Sequence, residues 1–352
     1  MKKLIKTLLK ILLVIIILFT VFIILIRKSS TIKIFVDNSG LRDISEIVLK
    51  SSNSDSKEEL KNYISEFNII PERCESQINI TPLKKWRLKN KDLIQEQLVF
   101  TSCDKKDKAI FYLYRKGELK NQKVILWIPG FGVNDNAFYF IKKFFISELS
   151  ENYAILFYNI PFHLDRIPKG KKMGEGLFNF KITDNFKVIK NSINEINRAI
   201  NYLKSKEIKS VSGWGGSIGG AILWLSSVNI KYEHLALMIP IIDWNTVIFN
   251  KNLKNIIKRL NENSLNNDLI KKSYQKLNPL NYPTKTNSKN IYLMYSKYDQ
   301  LTPKNKMLEF AKKYKITNIK EYEESHATIL LEGDVYKDYN KFLKNLKNNS
   351  VK

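Results

Sequence analysis

The sequence predicts an α/β fold with a mostly parallel central sheet, helices on both faces, an antiparallel leading hairpin, a helical insertion and an N-terminal transmembrane helix. Three observations predict it. From Val124 onward, short continuous apolar runs alternate with stretches of helical periodicity, the pattern of buried parallel strands joined by crossover helices. Ahead of them, two strand-like runs at 94–102 and 109–115 flank the polar turn 103–107, which reads as a hairpin. Finally, positions 11–26 are 16 uncharged residues, all apolar except Thr20.

Composition narrows the classes. The chain has 352 residues, 44% of them apolar and 26% charged, enough for one large or two ordinary globular domains. Only Cys74 and Cys103 are present, which excludes a disulfide-built scaffold and a four-cysteine zinc site. The formal net charge is +25, yet the lysines are dispersed among Asn and Ile without zinc-finger spacing or an aromatic RNA-binding motif. They read as a solvated surface with some attraction to anionic headgroups, and no nucleic-acid partner is implied.

At the start of the chain, residues 1–30 carry six basic residues and no acids. With Leu8, Leu9 and a snorkelling Lys10, the apolar stretch spans about 28 Å, close to the hydrocarbon thickness of a bilayer. A cleaved signal peptide is the competing reading, but 11–26 runs into Arg27-Lys28 without a small-residue cleavage site. An uncleaved anchor is therefore expected. Lys2, Lys3, Lys6 and Lys10 outweigh Arg27, Lys28 and Lys33, which places the N-terminus in the cytoplasm and the bulk of the protein outside. There Cys74 and Cys103 could pair, although two free buried thiols fit the sequence equally well.

Residues 31–92, with one helix expected at 57–67, read as a stalk or small leading subdomain without chemistry. The domain at 93–352 continues after the hairpin with strands expected at 124–128, 154–158, 208–213, 235–242, 291–295 and 318–322. Helices are expected at 136–149, about 183–203, 219–227, 304–314 and 335–346. In the second of these, Phe186, Ile189, Ile193, Ile196, Ile200 and Leu203 recur at spacings of three and four. A further helical insertion occupies 246–277.

Chemistry concentrates at Gly215-x-Ser217-x-Gly219, which stands between an expected strand and an expected helix. A serine at such a turn is strained, needs small neighbours and projects above the carboxyl edge of the sheet, where the first helical amides can hold an anion. A nucleophilic serine needs a base, and the chain has three histidines. His326 follows the last strand, at the correct edge. His234 precedes a strand, at the opposite edge, and reads as a packing or surface residue. His163 is on the correct edge and, with Trp214, is a candidate pocket residue. Asp299 follows the penultimate strand and is the candidate acid that orients the base, with Asp243 as its rival. The amide of Ile218, and that of Phe131 within Pro129-Gly130-Phe131-Gly132, are the candidate oxyanion donors.

With these pieces in that order, the chain resembles the α/β-hydrolase superfamily over roughly its last 250 residues. The resemblance implies nucleophile Ser217, acid Asp299, base His326 and oxyanion donors Phe131 and Ile218. One departure is that Ser325, not a glycine pair, precedes His326. Segment 159–168, with Gly174 and Glu175, is similar to one in some bacterial members. The insertion at 244–283 lies where many members carry a lid. The chain is accordingly expected to be a membrane-anchored serine hydrolase, most readily a carboxylic-ester hydrolase, acting on a small-molecule or lipid-like acyl substrate. A peptidase, a thioesterase and a non-catalytic binding protein of the same fold are the alternatives. No metal or organic cofactor is implied.

Overall fold

The order of the strands decides where the candidate groups meet. The computed structural model describes residues 29–50, 53–72, 77–83, 93–105, 107–133, 138, 145 and 152–349. The expected membrane segment lies outside the described residues, as does the expected helix at 136–149 apart from Phe138 and Phe145. Among the described residues no helix is long and apolar enough to cross a membrane.

The strands are β1 (Asn79–Pro82), β2 (Ile94–Thr101), β3 (Lys108–Arg115), β4 (Lys123–Ile128), β5 (Ala154–Asn159), β6 (Ser210–Gly216), β7 (Leu235–Met238), β8 (Ile291–Ser296) and β9 (Asn318–Tyr322). They form one sheet in the order β1-β2-β3-β5-β4-β6-β7-β8-β9. Pairing is antiparallel from β1 to β5 and parallel from there to β9. Successive residues of β4 face opposite ways. Val124, Leu126 and Ile128 join one apolar cluster, while Ile125 and Trp127 join the other. Both faces of the sheet are therefore buried, as the continuous apolar runs require.

The helices are α1 (Ser30–Leu49), α2 (Lys57–Glu66), α3 (Ile182–Ser205), α4 (Ile218–Ser226), α5 (Trp244–Ile248), α6 (Lys254–Glu262), α7 (Asn267–Gln275), α8 (Lys304–Lys313) and α9 (Gly333–Asn349). The six residues at helical spacing in α3 all lie in the first cluster, together with α4 and part of α8. Val335, Tyr339 and Phe342 of α9 cover the opposite face.

Three elements depart from expectation. The strand expected at 235–242 ends at Met238, because Ile239 takes a positive φ of 43° and Pro240 has no amide to continue the ladder. The strand expected at 208–213 starts later and runs on to Gly216, taking up the first two positions of the glycine motif. Strand β1 is new. Its four residues are all exposed, so it carries no apolar alternation to read.

The described residues of 31–92, expected to form a stalk or small leading subdomain, pack against the main domain. Leu41 and Val48 of α1, Leu60 and Ile64 of α2, and Ile69 all belong to the main apolar cluster. The inward stripe of α1 is Lys33, Asp37, Leu41, Ser45 and Val48. Two of these five are charged, so the stripe does not register as an apolar face. Cys103 is disulfide-bonded, which closes the alternative of two free thiols.

A buried ion pair ties the leading strands to α3. Arg166 donates from Nη1 to Oε2 of Glu195 at 2.8 Å and from Nη2 to Oε1 at 3.1 Å. Glu195 also accepts from Ser102 Oγ at 2.7 Å and from the Tyr158 hydroxyl at 2.6 Å. Removing one partner of such a pair strands the other charge in the interior. Glu195→Ala is expected to lower unfolding stability by about 3–5 kcal/mol, read from urea denaturation followed by tryptophan fluorescence.

Candidate active site

Strand β6 delivers Ser217 to the carboxyl edge of the sheet, and the turn into α4 gives it φ 52° and ψ −121°, a region costly for a side chain. The serine is pinned there by its own backbone. Its amide donates to Met238 O at 2.9 Å, and its carbonyl accepts from Ala221 and Ile241 at 3.1 Å each. The flanking glycines are required by close approach rather than by φ. A Cβ on Gly215 would stand 2.7 Å from Gly219 O, and one on Gly219 would collide with the carbonyls of Ile128 and Pro129.

His326 arrives on the loop after β9. Its Nδ1 lies 2.8 Å from Asp299 Oδ2, and its Nε2 lies 2.7 Å from Ser217 Oγ. Because the carboxylate can only accept, Nδ1 carries the proton and the lone pair of Nε2 receives the serine hydroxyl. Asp299 follows β8 and is locked by its own turn. Oδ1 accepts the amides of Leu301 and Thr302 at 2.7 Å each, and Oδ2 accepts the Thr302 hydroxyl at 2.6 Å. Burial by itself would push the His326 pKa down. The charge and hydrogen bond of Asp299 outweigh that, with a smaller contribution from Asp37, and the net shift is upward.

The β4 turn completes the site. Gly130 approaches so closely that a Cβ there would lie 3.2 Å from Ser217 Cβ. Neither the amide of Phe131, next to Gly130, nor that of Ile218, next to Ser217, donates to another group among the described residues.

His163, expected as a pocket residue, is a buried brace for this turn. The Gly132 amide donates to its Nε2 at 3.0 Å, while its Nδ1 lies 2.9 Å from the carbonyl of Pro161 and must carry the proton. Burial pushes its pKa down to about 4, so the ring stays neutral and able to accept. Its ring also meets that of Phe131 edge to face, centroids 5.5 Å apart.

Two sequence expectations are corrected. Trp214 is not a pocket residue. It lies on the face of the sheet opposite the α4 cluster, buried against Trp127 and Phe145. Strand pleating places residues 212, 214 and 216 together on that face. Asp243, the rival acid, does not face His326 but caps α5. It accepts from the amide of Asn245, from the Thr246 hydroxyl and from Asn278 Nδ2 at 3.0–3.1 Å, with Lys306 3.4 Å away. His234 is buried, hydrogen-bonded to the Tyr339 hydroxyl at 2.9 Å, and burial pushes its pKa down to about 4.

Sequence reasoning missed Asp37, which reaches the site from α1 and contacts the loops of both Asp299 and His326. The available signal was a carboxylate at i+4 from Lys33 and i−4 from Leu41, on the face that Leu41 and Val48 turn inward. Among the described residues no group of three His, Cys, Asp or Glu side chains is arranged to hold a metal ion.

No protein-family model matches this sequence, and no curated protein matches it. Solved structures match in fold. An acetyl xylan esterase from a Paenibacillus species superposes with a TM-score of 0.56 at 12% identity, over 88% of this chain and 98% of that one. Acetyl xylan esterase 1 from a Thermoanaerobacterium species gives 0.52 at 12% identity, over 82% and 92%. The acylaminoacyl peptidase of Pyrococcus horikoshii gives 0.50 at 15% identity, over 74% of this chain and 42% of the peptidase. At such identities the likeness is one of fold, and that fold is the α/β-hydrolase fold.

The geometry makes two outcomes expected. Only neutral His326 can take the serine proton, and its pKa is raised. The rate at which a fluorophosphonate labels Ser217 should therefore climb with pH through a midpoint above the ordinary histidine value of about 6.5. Asp299→Asn, which disturbs the tautomer, should slow that labelling by about 10⁴-fold, measured by stopped-time labelling of folded protein.

Proposed function

We propose that this chain is a serine hydrolase that cleaves carboxylic esters through an acyl-enzyme on Ser217. The observation that carries the reading is the hydrogen-bonded series Ser217–His326–Asp299, at 2.7 and 2.8 Å. Ser217 Oγ attacks the acyl carbonyl as its proton passes to His326 Nε2. The carbonyl oxygen becomes an oxyanion, held by the Phe131 and Ile218 amides. Collapse expels the alcohol, which takes the proton from Nε2 and leaves the acyl group on Ser217. Water, deprotonated by the same nitrogen, then attacks the ester and releases the acid. Asp299 keeps the imidazole oriented and offsets its charge in each half-reaction.

The enzyme is further proposed to sit on a membrane, anchored by 11–26 with its hydrolase domain outside the cytoplasm. The apolar run and the basic excess at its leading end support this, as does the disulfide at Cys103, since such bonds persist in oxidising compartments. A lipid-like acyl substrate suits that setting. Phe35 is 65% exposed in the second turn of α1, shortly after the apolar segment, and Leu331 is 73% exposed on the loop behind His326. The likeness to the Pyrococcus horikoshii acylaminoacyl peptidase favours a second reading, aminoacyl amide hydrolysis by the same groups.

Ser217→Ala is expected to cut hydrolysis of p-nitrophenyl acetate by about 10⁴-fold or more and to abolish fluorophosphonate labelling, with an unchanged circular dichroism spectrum. An unaltered rate would remove the assignment. Comparing p-nitrophenyl esters with aminoacyl amides on the wild-type chain separates the two readings.

A further inference from the structure

Helix α1 runs between the insertion and the two loops that hold the acid and the base. On its outer side Asn252 Nδ2 donates to Asn38 Oδ1 at 2.7 Å, and Arg259 Nη1 donates to the Leu49 carbonyl at 2.5 Å. On its inner side Asp37 is 2% exposed. Its Oδ2 accepts the amide of His326 at 2.9 Å and that of Gln300 at 3.2 Å, and its Oδ1 accepts the amide of Ala327 at 2.9 Å. One turn earlier, Lys33 Nζ donates to Glu324 Oε1 at 2.8 Å and to the Glu323 carbonyl.

A buried carboxylate is costly unless its lone pairs are filled, and here three main-chain amides fill them. Those amides are not a random set. Gln300 directly follows Asp299 on the β8 loop, while His326 and Ala327 form the β9 loop. One side chain from the start of the chain thus joins both loops to each other. The relative position of the two loops sets the distance of His326 from Asp299 and Ser217, and an error of about 1 Å in such a contact costs about 10²-fold in rate.

We propose that Asp37 is a positioning residue: it clamps the loops of Asp299 and His326 together so that the imidazole stays in line between the carboxylate and the Ser217 hydroxyl. The inference rests on the hydrolytic reading of those three groups and adds a fourth, supplied by a helix outside the βα series. The charged groups around the imidazole are Asp299 from the β8 loop, Asp37 from α1, and the Lys33–Glu324 pair beside them. Ser217 and Thr302 are its uncharged neighbours.

The test uses the full-length chain with p-nitrophenyl acetate. Asp37→Ala should lower kcat by about 10²-fold with KM little changed. It should also move the acid limb of kcat/KM to lower pH, because the imidazolium loses a nearby negative charge. Asp37→Asn retains one oxygen acceptor without the charge. It should recover part of kcat while keeping the displaced limb, and it decides the matter alone if the alanine variant does not fold. Wild-type kcat and an unmoved acid limb in either folded variant, with only a lower thermal midpoint, would reduce Asp37 to a packing group and overturn the proposal. The underlying reading fails by a different result, activity that survives Ser217→Ala, so the two failures are distinguishable.

Discussion

The turn at Ser217 constrains everything around it. A serine at φ 52° is held against an intrinsic cost of order 1–3 kcal/mol, and three backbone hydrogen bonds to 217 hold it there. In that conformation the hydroxyl reaches His326 Nε2 at 2.7 Å. Side chains larger than hydrogen at 215 and 219 would strike backbone. The β4 turn must then pass within van der Waals contact of the serine, which Gly130 permits. Sheet, helix and the β4 turn are therefore positioned by one short stretch of chain, and the loops of Asp299 and His326 are the parts that must be brought to it.

Electrostatics distinguishes the three histidines more sharply than their burial does. His163 and His234 are enclosed without a carboxylate at hydrogen-bond distance, and both are driven down to about 4. The same desolvation acts on His326, but Asp299 at 2.8 Å and Asp37 behind its loop reverse the sign. The first two are fixed as neutral hydrogen-bonding groups. The third is the one whose protonated form the surroundings stabilise, the property that the proposed role as general base needs.

How the loops are held is the less familiar part of the design. The Asp299 carboxylate is satisfied within its own turn, by Leu301 and Thr302, while the next residue, Gln300, gives its amide to Asp37. The His326 loop is tied within itself through Ser325, Thr328 and Glu324. The amides of His326 and Ala327, however, go to Asp37 of α1, and Lys33 of the same helix donates to the Glu323 carbonyl and to Glu324. A helix that precedes the sheet in the chain is thereby built into the site, in contact with the insertion on its other side.

Local pattern made much of this readable from sequence. The apolar runs of β4, β5 and β8, the periodicity of α3 and the placement of Ser217, Asp299 and His326 at strand ends all come from rules that act over a few residues, because strand and helix periods and turn sterics are local. The edge of the sheet was enough to set His234 aside, while His163 shares the correct edge with His326 and was set aside by its place ahead of Ser217 in the chain. What folding alone decided lay at longer range. Trp214 turned to the far face because the strand runs on past the end expected at 213, so residue 214 is still pleated and does not belong to the turn. Asp243 is held by its neighbours Asn245 and Thr246 and by Asn278, 35 residues away in the insertion. Asp37, 289 residues from the amide it accepts, carries only the faint local signal of its spacing from Leu41, since a carboxylate on a mixed helix looks like solvent-facing charge until the chain closes around it.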